Sequence, residues 1–251
     1  MDRSSLIGIL LGIVAVIGGN LLEGGKITSV LQATAAAIVF GGTFGATMLS
    51  FPLQDILKAT SSLRDVFFGE KIDSDVFLKD ILRYSAIARR NGLIALEPEI
   101  SKITDTFFQK AMRLAVDGMG PKMLKETMEQ ENITYEDEKR RIAKVFETAG
   151  GFAPTIGIIG AVLGLIHVME NLSDPAKLGS GIAVAFVATI YGVGSANLIL
   201  LPMSKKLVNR LHCSLLMREM VLEGVVGIQS GMNTHYLEEK LRAFLDEGQR
   251  G

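Results

Sequence analysis

Two long uncharged runs in the second half of the chain constrain its fold more than any other feature. Thr148 to Met169 and Leu178 to Ser204 contain no Asp, Glu, Lys or Arg. A helix rises about 1.5 Å per residue and a bilayer core is about 30 Å thick, so each run is long enough to span. A charge at mid-membrane costs about 2.5–3.5 kcal/mol on insertion scales, which makes charge-free runs of this length a strong sign of membrane helices. Both carry small residues at helical spacing: Ala153, Gly157, Gly160, Ala161 and Gly164 in one, Ala185, Thr189, Gly192 and Ala196 in the other. Small faces let helices approach closely, and scattered hydroxyls add a polar seam. Such faces serve equally well to pack the chain's own spans or to receive a partner helix, and spacing alone does not decide.

Two more uncharged runs lie at the N-terminus, Ser4 to Leu22 and Ile27 to Gln54, separated only by Glu23–Lys26. The second follows so closely that a membrane hairpin is expected rather than a cleaved signal peptide. The fold class expected is therefore all-α: a polytopic membrane protein with four transmembrane helices and a helical cytoplasmic domain. A first hairpin occupies 1–54, with spans at about 4–22 and 28–51. A cytoplasmic segment follows at 55–147, then a second hairpin at 148–204, with spans at about 150–170 and 179–203, and an amphipathic tail at 205–251. In the charged segment, Val76, Phe77, Ile81, Tyr84 and Ala88 recur at helical spacing, as do Ile100, Ile103, Phe107 and Met112. Gly92 and Pro98 punctuate the gap between them, and Thr134 with Asp137 three residues on predicts the start of a further helix.

Charge sets the orientation. Of 26 Lys and Arg, 16 fall in Phe51–Gly150 and 7 in Met203–Gly251. The positive-inside rule then places both termini and the middle segment in the cytoplasm. A net charge of −1 gives no indication of nucleic-acid binding. One cysteine, Cys213, forms no internal disulfide, and three histidines, His167, His212 and His235, are too few for a multi-histidine metal site. No Walker A, GxSxG or HExxH pattern occurs, so no enzyme is expected. No acidic residue lies inside the spans, Glu170 and His167 falling toward the outer end of the third, and a proton or cation path normally needs an ionisable group or a ring of oxygens within the membrane. Their polar side chains include Thr155, Thr189, Tyr191, Ser195 and Asn197, none of which carries a proton at ordinary pH. If the chain moves ions, the titrating carboxylate is expected from a partner helix.

The order of elements, with the segment Ala88-Arg89-Arg90-Asn91-Gly92-Leu93-Ile94-Ala95-Leu96-Glu97, resembles the MotA/PomA family of flagellar motor stator subunits. Phe152-Ala153-Pro154 followed by Gly157, Gly160, Leu163 and Gly164 is similar to the start of that family's third span. Thr189-Ile190-Tyr191-Gly192 and Pro202 match its fourth. The resemblance covers essentially the whole chain. It implies a MotA/TolQ/ExbB-like fold in the bacterial inner membrane, with five copies around a dimer of a MotB-type single-span subunit. That partner binds peptidoglycan and supplies the missing aspartate, and ion flow drives the rotor protein FliG. Residue by residue, the resemblance assigns Arg89, with Arg90 beside it, and Glu97 to the charged rotor contact. It assigns Pro154 and Pro202 to the inner ends of the third and fourth spans, and Thr189 to a site facing the partner's aspartate, with Thr155 and Tyr191 also near the ion path. Sodium-driven members tend to carry threonine where Ala161 stands. A hard cation needs several oxygens, whereas a proton needs one titrating group, so protons are the expected ion and no cofactor is implied.

Four other readings share parts of this pattern, one of them a non-flagellar stator for gliding or defence built on the same four-span plan. An ExbB/TolQ-type energiser usually has three spans. A secondary transporter predicts an ionisable intramembrane residue or broken helices with inverted repeats. A passive scaffold would make the polar span residues incidental.

Overall fold

The computed structural model describes residues 3–68, 74–173 and 175–245. Parts of the predicted cytoplasmic segment (69–73) and of the tail (246–251) lie outside the described residues. Among the described residues the elements are helices joined by turns, with no strand. Four of them are long and apolar enough to cross a membrane: Ser4–Leu22, Ile27–Ser50, and stretches within Pro121–Glu170 and Leu178–Gln229. The chain divides into two compact units, residues 1–70 with 139–208, and residues 71–138 with 209–251.

The first unit contains the spans. Helix α1 (Arg3–Leu22) is followed by a 3-10 turn, Ile27–Val30. The second span begins with α2 (Ala33–Ala36), widens into a π turn at Ala37–Gly41 and continues as α3 (Gly42–Ser50). It stops at Phe51, which is extended (φ −134°, ψ 147°), because the residue before a proline is pushed away from helical geometry by Pro52. Helix α4 (Leu53–Phe68) then buries Ile56, Ala59 and Val66 against Ile142, Val145 and Phe146.

The second unit begins with α5 (Ser74–Asn91), a 3-10 turn (Leu93–Leu96) and the short α6 (Glu97–Ile100). The apolar positions Ile100, Ile103, Phe107 and Met112 do not share one helix as the periodicity predicts. A turn interrupts them, and α7 (Thr106–Val116) starts at Asp105, whose side chain accepts the Phe108 N–H at 2.7 Å. All four are nonetheless buried. An N-cap satisfies an otherwise orphaned donor, which here outweighs continued helical spacing.

The predicted helix start at Thr134 is also corrected. Thr134 lies inside α8 (Pro121–Glu170), a single helix of 50 residues, and its hydroxyl donates to the Gln130 carbonyl at 3.0 Å. Pro121 occupies the first helical position, where its missing N–H costs nothing. At 1.5 Å per residue α8 is about 75 Å long, more than twice a bilayer core. Residues 121–138 of α8 belong to the second unit and 139–170 to the first. After α9 (Pro175–Ser195) a π turn, Ala196–Leu200, leads into α10 (Leu201–Gln229), whose residues from 209 onward belong to the second unit with α11 (Thr234–Arg242).

The core of the second unit joins the middle segment to the tail. Tyr84, Phe107, Phe108, Met128, Met220 and Leu237 are among its fully enclosed side chains. The Arg218 guanidinium lies between two rings, 4.5 Å from Phe107 and 3.8 Å from Tyr135, and donates to Asn132 at 3.3 Å. Glu223 accepts from Lys125 at 2.7 Å and from Lys240. Burial pushes the Glu223 carboxyl up, but the two lysine hydrogen bonds outweigh it and hold the group below the ordinary carboxylate range. The same hydrogen bond raises Lys125.

Candidate functional site

The third and fourth spans meet largely backbone to backbone, at glycines. A Cβ built on Gly157 would lie 2.8 Å from the Ala188 carbonyl oxygen and 3.2 Å from the Gly192 Cα. One on Gly164 would lie 2.8 Å from both the Ala185 nitrogen and the Gly181 oxygen, and one on Gly160 would lie 2.8 Å from the Ala188 Cβ. Lipid tails are as apolar as leucine, so spans gain little from hiding hydrophobic area and associate through close van der Waals contact. The small faces are therefore consumed inside the chain. A partner helix does not occupy Gly157, Gly160, Gly164, Ala185 and Gly192, because the chain's own atoms fill that space: backbone at most of these positions, and the Ala188 and Ile38 side chains at Gly160.

The faces turned outward differ. Along α8, Thr155, Ile158, Ile159, Val162 and Ile166 are exposed; along α9, Ile182, Phe186, Ile190 and Val193 are exposed, followed by Asn197 in the π turn. Ala161 and Thr189 are half-buried. Because Gly157 and Gly160 both close on Ala188, Thr189 stands within about one helical turn of Ala161 along the span. Both threonine hydroxyls are satisfied locally: Thr155 donates to the Phe152 carbonyl at 2.8 Å and Thr189 to the Ala185 carbonyl at 3.2 Å. Each oxygen still has a lone pair with which to accept a further hydrogen bond.

Pro154 and Pro202 do not end helices. Pro154 is inside α8, so the Gly150 carbonyl lacks its usual donor four residues on. Pro202 follows the π turn Ala196–Leu200, where the Leu201 N–H reaches back to the Ala196 carbonyl. Skipping to a five-residue bond before a proline re-registers the ladder around the missing N–H. π turns and prolines are the usual sites of helix bending.

Tyr191 has a role the sequence did not reveal. Its hydroxyl donates to the Val30 carbonyl at 2.6 Å and accepts the Gln32 N–H at 3.3 Å, while its ring stacks on Phe40 at 5.7 Å. It pins the entry to the second span onto the fourth. A tyrosine in an apolar run is the only sequence signal for this latch, and it does not name the partner.

Arg89, Arg90 and Glu97 flank the connection between α5 and α6 in the second unit. The arginines occupy the last turn of α5, where cations favour the helix's negative end, and Glu97 opens α6. Between them Gly92 adopts φ +83°, a conformation side chains rarely take, and its N–H bonds the Ala88 carbonyl at 2.9 Å. Leu96 is fully buried and anchors the turn, leaving all three charged residues exposed.

Comparison with known proteins matches both halves of the chain. The pattern of the motility protein A N-terminal region matches residues 6–90, and that of the MotA/TolQ/ExbB proton channel family matches residues 99–220. Motility protein A of Bacillus subtilis is 32% identical over 98% of this chain and 91% of its own length. Chemotaxis protein PomA of Vibrio alginolyticus is 30% identical over 100% of this chain and 98% of its own. The solved structure of C. jejuni MotAB has a chain that superposes with a TM-score of 0.95 at 30% identity, covering 100% of this chain and 99% of that one.

Proposed function

The chain belongs to the MotA/PomA branch of the MotA/TolQ/ExbB proton channel family, and from that premise we propose that it is the ion-conducting, torque-generating stator subunit of a flagellar motor. One observation carries the reading beyond the family. The third and fourth spans have no ionisable carboxylate along their apolar length, yet they present Thr155, Thr189 and Asn197 on or beside outward faces. An ion crossing there needs a titrating group, and a second, MotB-type membrane subunit supplies it. Several copies of this chain surround that subunit, so the exposed apolar faces contact copies, partner and lipid.

The ion is the proton. Ala161 offers no oxygen near Thr189, and a desolvated sodium ion needs a shell of them. Both termini and the charged second unit lie in the cytoplasm, where most Lys and Arg are found. There the turn carrying Arg89, Arg90 and Glu97 meets the rotor protein FliG. Exposed charge pairs speed encounter and exchange without locking partners together, which suits a surface that must step repeatedly.

The match of residues 6–90 to the motility protein N-terminal pattern favours a flagellar motor over an outer-membrane energiser. Deleting the gene tests the proposal. Cells that keep normal filaments but do not swim, and recover with the gene restored, support it. Normal swimming in a strain with no second stator contradicts it.

A further inference from the structure

The docking turn carries one feature its charges do not explain. Ile94 is 74% exposed, more than any other large apolar side chain among the described residues of the second unit. Lone exposed apolar residues are ordinary on protein surfaces. Ile94 differs in its setting. Leu93 and Ala95 on either side are half-buried and Leu96 is fully enclosed, so the turn tucks its other apolar residues in and leaves this one out. Arg89 and Arg90 precede it in the chain and Glu97 follows it, all exposed, and none of the three forms an ion pair among the described residues. The turn is preorganised by the Gly92 conformation and by the buried Leu96. A single exposed apolar side chain on a turn fixed by Gly92 and Leu96, with exposed charges before and after it in the chain, fits the pattern of an interface hot spot with a polar rim.

We propose that Ile94 is the apolar anchor of the rotor contact, inserting into an apolar recess on a protein surface whose acidic group faces the arginines and whose basic group faces Glu97. This rests on the rotor-docking reading above and adds to it the residue that holds the contact while the charges guide it. Charges on the rim act through long-range attraction that salt screens, whereas apolar burial is insensitive to screening. The two contributions are therefore separable.

The test uses the full chain assembled with its MotB-type partner, FliG as the probe, and binding measured at low and high salt. Ile94→Ala is expected to weaken binding about tenfold at both salt concentrations and to slow swimming, at unchanged amounts in the membrane. Ile94→Met, which restores apolar bulk, recovers most of the affinity. Arg89→Glu weakens binding at low salt and less so at high salt. Wild-type binding by Ile94→Ala, with Arg89→Glu still weakened, overturns the anchor while leaving the charged contact standing. Wild-type binding by both Arg89→Glu and Glu97→Lys overturns the docking turn itself, and the anchor with it.

Discussion

In the first unit the closest contacts are made by atoms that are nearly absent: Gly157 and Gly192 bring two backbones together with no side chain between them. In the second unit they are made by large side chains, with Tyr84, Phe107, Phe108 and Met220 enclosed and Arg218 held between two rings. The solvent explains the contrast. Water drives the second unit to hide apolar area, at roughly 25 cal/mol per Å². Lipid gives no such drive to the spans, so their association depends on shape at short range. The same substitution should therefore have opposite severity in the two places, since adding a methyl breaks one unit and removing side-chain bulk breaks the other.

The largest effect is expected at the glycine seam. Gly157→Leu puts a branched side chain where even a Cβ meets the Ala188 carbonyl at 2.8 Å, so the spans cannot close and swimming is lost. The amount of assembled complex in membranes measures this directly. Gly19→Ala in α1, which has open space around it, should leave that amount unchanged. Equal tolerance at both positions would break the comparison.

Next comes Phe107→Ala. Removing a ring that is 2% exposed should cost about 3–5 kcal/mol, seen as faster proteolysis of the second unit while the spans stay protected. A smaller loss is expected for Tyr191→Phe. It strands the Val30 carbonyl and the Gln32 N–H in an apolar setting, at about 1–3 kcal/mol, read as a lower thermal transition of the solubilised complex.

The smallest effect concerns the Glu223 cluster and depends on pH. The Glu223 carboxyl is held below its ordinary range, so its contribution is present above the unfolded carboxylate pKa and is lost as pH falls through the lowered folded value. Lys125 is raised, so its contribution is present below the ordinary lysine pKa and is lost as pH rises through the raised folded value. With lysine side chains that are 44% exposed, solvent screening limits the cluster to about 1 kcal/mol. Glu223→Gln should flatten the acid limb of a melting-temperature profile of the complex, and an unchanged profile would show that the cluster contributes nothing.

How much of this was legible in the sequence follows the same division. The four apolar stretches could be read because membrane insertion depends on summed hydropathy, a one-dimensional quantity. The break after α5 could be read because Gly92, whose backbone ends that helix, marks it locally. The glycine seam was visible only as candidate faces, since which surface a small face meets depends on three-dimensional pairing. Local chemistry misled at Thr134, where a capping pattern sits inside a 50-residue helix and the threonine simply bonds its own backbone. The core shared by Tyr84, Phe107 and Met220 was hidden for another reason. It joins residues more than 100 positions apart, separated in sequence by two membrane spans.

The most direct measurement of the central claim is proton flux into vesicles containing this chain alone, the chain with its MotB-type partner, and the chain with a partner whose membrane carboxylate is replaced by its amide. The account predicts flux only in the second preparation, because the spans of this chain carry no titrating carboxylate of their own. Flux through the chain alone, or undiminished flux with the amide-bearing partner, would contradict it.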